Sequence, residues 1–244
     1  MVRARAVVFD IEGTVCPISF VKEVLFPYAV QKIHSLVRDL PASSFPLSSS
    51  SDNVLISQYL SQFPSEYTGD AKSLLDHIDD LVARDVKASY LKTLQGYLWK
   101  SGYDSGEIKA PVYPDAVSHI QKWAKSLPSD GGVYIYSSGS VAAQILLFAH
   151  CEPDLDLTPY LKDYFDTVNA GQKVVPDSYN TIAKKIGLPA SDILFFTDNT
   201  NEIDAAQKAG WQTTLVVRPG NAPFDDSYRS KTTVITSLDQ VDLN

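Results

Sequence analysis

Residues 7–9 read Val-Val-Phe, and Asp10 follows at once. Successive side chains of a strand point to opposite faces, so three apolar residues in a row demand cover on both faces. Strands buried on both faces belong to parallel sheets flanked by helices, which restricts the chain to the α/β class. The signature recurs as "VYIYSS" (133–138), "ILFFTD" (193–198), "TTLVV" (213–217) and "TTVIT" (232–236), giving five predicted strands with the first at 5–10. Helical patterns lie between them, at 141–148, 178–186 and about 202–209. A further helix is predicted from Pro114, with Ala116, Ile120, Trp123 and Leu127 on one face. Gly187 and Gly210 stand where two of these helices must stop. This alternation predicts a Rossmann-like, doubly wound parallel sheet.

The stretch 17–109 interrupts that order, with no strand pattern over most of its length. Apolar residues recur there at helical spacing: Val21, Val24, Leu25, Tyr28, Ile33, Leu36 and Leu40, then Leu74, Leu75, Ile78, Leu81 and Val82, then Val86, Tyr90, Leu94, Tyr97 and Leu98. The Ser- and Pro-rich segment 41–53 reads as a mobile loop. The expected organisation is a catalytic core made of 1–16 and 110–244, with a helical cap, 17–109, inserted after the first strand. At 244 residues the chain can hold both.

Charge and cysteine usage exclude several classes. The net charge is −8, from 29 acids against 21 bases, and no basic patch is visible, which argues against nucleic-acid and membrane-surface partners. Two cysteines, Cys16 and Cys151, make no disulfide framework and no metal motif, and each is expected to be a buried apolar residue. No segment is long and apolar enough for a bilayer span, and the N-terminus lacks a signal-like run. A soluble chain in a reducing, intracellular setting is the expectation, and a monomer is the default.

Ligands of open α/β sheets bind beyond the carboxyl ends of the strands. The residues predicted there are Asp10 and Glu12, then Ser137, Ser138 and Gly139, then Asp198 with Asn199 and Glu202 just beyond, while Lys173 lies in the loop "GQKVVPDSY". These types suit phosphoryl transfer. Asp10 can attack phosphorus. Asp10 and Asp198 offer the oxygen ligands that Mg²⁺ prefers. Glu12, two residues on, returns to the same side of an extended chain and can act as general acid or base. Ser137 can donate to a phosphate oxygen, and Lys173 supplies a compact positive charge. Gly13 and Gly139 permit tight turns and close approach of backbone N–H groups to an anion. A strand-end turn would explain "DIEGT" alone; the serial order of four such signals favours the chemical reading.

These motifs resemble the haloacid-dehalogenase-like hydrolase superfamily: "VVFDIEGT" its first, "VYIYSSGS" its second, Lys173 its third and "ILFFTDNTNE" its fourth. Longer stretches, "FDIEGTVCPISFVKEVLFPYA", "LQGYLWKSGYDSGEIKAPVYPDA" and "RPGNA", are similar to the enolase-phosphatase E1 (acireductone synthase) family of methionine salvage, from Val7 to about Pro223. That resemblance implies enolisation of 2,3-diketo-5-methylthiopentyl-1-phosphate, then hydrolysis through a phosphoaspartate to 1,2-dihydroxy-3-keto-5-methylthiopentene. It implies one Mg²⁺ per subunit at Asp10, Glu12 and Asp198, substrate phosphate at Ser137, Ser138 and Lys173, and a cytoplasmic or also nuclear location. The alternative is a Mg²⁺-dependent relative acting on another small phosphoester. Val15, Cys16 and Asn199 depart from the family pattern but occupy none of the six matched positions.

Overall fold

The computed structural model describes residues 3–84, 86 and 88–243. The chain forms two compact units, Met1–Val21 with Lys109–Asn244, and Lys22–Ile108. Strand β1 (Ala6–Phe9) opens the first unit. The second unit is helical, entered through a π-helical turn, Val21–Leu25, and built from α1 (Phe26–Arg38), α2 (Val54–Gln58), α3 (Ala71–Ala83) and α4 (Ser89–Asp104). The chain then returns with α5 (Pro114–Ser126), β2 (Gly132–Tyr136), α6 (Val141–Ala149), β3 (Asp163–Phe165), α7 (Pro176–Ile186), β4 (Ile193–Thr197), α8 (Thr200–Lys208), β5 (Gln212–Val216), α9 (Tyr228–Lys231) and β6 (Thr233–Ile235).

All six strands are parallel, in the order β3-β2-β1-β4-β5-β6. The sheet is the α/β, Rossmann-like architecture that the sequence predicts, with one strand more. The extra strand, β3, is only "DYF" and carries no apolar run of its own. It forms because Tyr134 to Tyr136 of β2 offer it a ladder.

The apolar run of β1 is explained by what covers its two faces. Ala6 and Val8 join Tyr134, Tyr136, Phe195, Tyr179, Ile182, Ala205 and Trp211 in one core, against α7 and α8. Phe9 points the other way and stacks on Trp123 of α5 and on Phe196 of β4, at 5.9 and 5.0 Å between centroids. Gly187 ends α7 at φ 80° and Gly210 follows α8 at φ 85°, both in the left-handed region where a side chain is disfavoured.

The helical unit has its own core, with Ile33 and Val37 of α1, Leu74, Leu75, Ile78 and Leu81 of α3, and Leu91, Leu94 and Leu98 of α4. The third stripe starts later than predicted, because α4 begins at Ser89 and Val86 precedes it, exposed. The Ser-rich segment carries one anchor: Leu47 is buried in this core, and its N–H donates to the Thr68 carbonyl at 3.0 Å.

Candidate active site

Strand register sets the site. Phe9 pairs with Ile135 on one side and Phe196 on the other, so Asp10 is level with Tyr136 and Thr197. The Asp10 N–H continues the ladder to the Phe196 carbonyl at 2.9 Å. The chain order reverses across β1 and β4, and that switch point is where an open sheet admits ligand.

Asp10 is buried, 6% exposed, and so is Lys173 at 8%. Lys173 Nζ donates to Asp10 Oδ1 at 2.5 Å and lies 2.8 Å from Glu202 Oε2. It also sits over the rings of Tyr136 and Phe195, at 5.7 and 6.0 Å. Tyr179 of α7 donates its hydroxyl to the Lys173 carbonyl at 2.6 Å, which fixes the lysine backbone. Burial alone would lower the Lys173 ammonium, but the charges of Asp10 and Glu202 outweigh it, and the group is held firmly protonated.

Thr197 ends β4, and its hydroxyl donates to Glu202 Oε2 at 2.7 Å, with Asp10 Oδ2 further off at 3.4 Å. Burial, then the Asp10 charge, pushes Glu202 up to about 7. Burial, then Asp10 again, pushes Asp198 up to about 6, and Lys173 offsets this only in part. The pocket therefore holds three carboxylates against one ammonium, an electrostatic excess that favours a further cation.

Gly13 presses on the same group. It sits at φ +75°, and a Cβ there would meet Asp198 Oδ2 at 2.4 Å. Glu12 is half-buried in a parallel bridge to Cys16. Ser137 follows β2, buried, and its Oγ accepts the Gly139 N–H at 3.3 Å. Ser138 and Gly139 are exposed. Gln144 of α6 donates to the carbonyls of Gly139 and Phe165, both at 2.8 Å, so this serine loop is held from behind.

Comparison with known proteins adds the family. The haloacid dehalogenase-like hydrolase family matches residues 4–210. An enolase-phosphatase E1 of Yarrowia lipolytica is 48% identical over 241 residues, covering 98% of this chain and all of that protein. One from Kluyveromyces lactis is 48% identical over 227 residues, covering 92% and 94%. The crystal structure of UTR4 protein (Unknown transcript 4 protein) of Saccharomyces cerevisiae is 43% identical, with a TM-score of 0.83 over 98% of this chain. The chain belongs to the enolase-phosphatase E1 family, among the haloacid dehalogenase-like hydrolases.

Of the residues singled out in this enolase-phosphatase sequence, the structure brings Asp10, Lys173 and Asp198 into one electrostatic cluster. Ser137 stands at the neighbouring strand end. Two partners carried no role in the sequence reading. Thr197 looks like the last residue of a strand, and Glu202 looks like one more acid in a helical first turn. The signal for Glu202 was its spacing: four residues past Asp198, it occupies the first turn of α8 and faces back to the strand end.

Proposed function

We propose that this enzyme enolises 2,3-diketo-5-methylthiopentyl-1-phosphate and then hydrolyses its phosphate through an aspartyl-phosphate on Asp10. The observation that carries the reading is Lys173 on Asp10 at 2.5 Å, joined from 163 residues away at the switch point. Enolisation moves a proton from the carbon bearing the phosphate to the adjacent ketone oxygen. In the second step an Asp10 oxygen attacks phosphorus, the phosphorus–oxygen bond to the substrate breaks, and the leaving enol takes a proton from Glu12. Glu12 then accepts a proton from water as that water attacks the aspartyl-phosphate, releasing phosphate and restoring Asp10. Lys173 neutralises charge on the transferring group, with Ser137 and Ser138 as donors to its oxygens.

The pocket's donor set fits one Mg²⁺ per chain. Among the described residues, no three His, Cys, Asp or Glu side chains are gathered as a chelating cluster. Mg²⁺ needs none, since it keeps several waters and binds through one or two carboxylates. Asp10 and Asp198 would hold it with Glu12 as the third residue of the set; Asp198 is raised first by burial and then by the Asp10 charge, and such an ion would offset the second. When bound, it supplies charge neutralisation to phosphoryl and enolate oxygens. The helical unit's place in the chain, straight after β1, supports its assignment as the cap. The same reading takes a monomer acting in the cytoplasm, or also the nucleus, on a small phosphoester.

Asp10→Asn should abolish phosphate release while the protein stays folded by circular dichroism. Full Mg²⁺-dependent turnover by that variant would overturn the assignment of the nucleophile. Phosphosugars turning over far faster than the diketo ester would leave the chemistry but replace the substrate.

A further inference from the structure

The turn that carries Glu12 is closed by backbone bonds at its two ends, with the Gly13 N–H donating to the Cys16 carbonyl at 2.8 Å. The N–H groups of Thr14, Val15 and Cys16 all point to one carbonyl, that of Ile11, at 3.2, 3.0 and 3.0 Å. The carbonyls of Gly13 and Thr14, further along the turn, are held by side chains from the segment after β5. Asn221 Nδ2 donates to the Gly13 carbonyl at 2.9 Å and to the Val216 carbonyl at 3.3 Å. Arg218 Nε donates to the Thr14 carbonyl at 3.1 Å.

Arg218 is itself fixed on every side. Its Nη2 donates to Asp115 Oδ2 at 2.8 Å, its Nη1 to the Thr236 carbonyl at 3.2 Å, and its guanidinium lies over the Tyr113 ring at 4.4 Å. Asp115 Oδ2 also accepts from the Leu238 N–H at 2.8 Å and from Ser237 Oγ at 3.1 Å. One buried fork thus ties the start of α5, the chain after β5 and the C-terminal turn to the loop behind Asp10. The donors lie beyond residue 210, where the match to the haloacid dehalogenase-like family ends.

We propose that Asn221 and Arg218 are positioning residues of the reaction. They fix the Gly13 and Thr14 carbonyls and so hold Glu12 in register with Asp10 and Gly13 against Asp198. A lysine cannot replace Arg218, because one ammonium cannot meet Thr14, Thr236 and Asp115 with the planar fork's geometry. The inference rests on the reading that the loop after β1 carries the chemistry.

The test compares Asn221→Ala and Arg218→Lys with Gln212→Ala. Gln212 makes an equivalent pair of side-chain bonds, to the carbonyls of Arg3 and Ser191 at 2.7 and 2.6 Å, at the amino end of the strands. Asn221→Ala should lower kcat for phosphate release about tenfold with KM within about twofold, as expected when reacting groups shift by a fraction of an ångström. It should also speed amide exchange at Thr14, Val15 and Cys16. Gln212→Ala should lower Tm and change neither readout. A kcat within about twofold of wild type for Asn221→Ala, unchanged exchange at residues 14–16, or an equal loss in Gln212→Ala would each overturn the proposal. If Arg218→Lys does not fold, Asn221→Ala decides. A wild type that hydrolyses another phosphoester but not the diketo ester refutes the substrate reading alone, and the comparison then runs on that ester. With no turnover at all, the exchange data decide.

Discussion

Gly13 leaves no room for a side chain, for two independent reasons. Its φ of +75° is disfavoured for any residue with a Cβ, and that Cβ would lie 2.4 Å from Asp198 Oδ2 and 2.9 Å from Asn221 Oδ1. Gly13→Ala should therefore cost about 1–2 kcal/mol of stability from backbone strain and displace Asp198. Urea unfolding measures the first effect and phosphate release the second; wild-type turnover would mean that Asp198 yields without consequence. Asp10 and Lys173 were legible in the sequence through the serial order of four signals along the chain, since a turn or a solvated charge would explain either one alone. Thr197 was not, because a strand's last residue needs no site to explain it, and Glu202 was placed at that rim without its partners, because an acid in a helical first turn needs none. Asn221 was invisible for another reason: it acts on backbone carbonyls, which carry no residue identity.

Elements follow the same logic. Strands β1, β2 and β4 were readable because each holds an unbroken apolar run covered on both faces. β3 was not, since its three residues become a strand only through pairing with β2. Helices α7 and α8 start two residues earlier than their apolar pattern, at Pro176 and Thr200, because proline and the Asn199 cap set the start rather than periodicity. The joint between α5 and the C-terminal turn, Asp115, has a titration consequence. Burial alone would raise this carboxyl, but the Leu238 N–H and Arg218 outweigh it and hold it below its usual range. A depressed carboxylate contributes stability that is present above its unfolded value, near 3.9, and is lost as pH falls through the lower folded value. Asp115→Asn should cost roughly 3 kcal/mol at pH 7, by leaving Arg218 without its anion. It should also flatten the loss of stability that wild type shows below about pH 4. Urea titrations at several pH values check both; equal pH slopes for the two proteins would remove Asp115 from the account.

At the scale of the whole molecule, the two units each carry a separate apolar core. Unfolding of such a chain need not be a single transition. Calorimetry should resolve two, and Mg²⁺ should raise only the one belonging to the α/β unit, by about 2.7 kcal/mol at a hundredfold excess over its dissociation constant. A single transition that shifts as a whole would show that the units unfold together. Their separate cores were foreshadowed by the change in hydrophobic period after β1, from unbroken runs to helical stripes. Tryptophan placement gives the same division an optical form. The chain has three, and Trp99 alone belongs to the helical unit, while Trp123 and Trp211 lie buried in the other. Trp123 stacks on Phe9, whose peptide neighbour is Asp10. The enzyme thus carries an intrinsic fluorophore one ring away from Asp10, so changes at that strand end can be followed by emission, with no label attached.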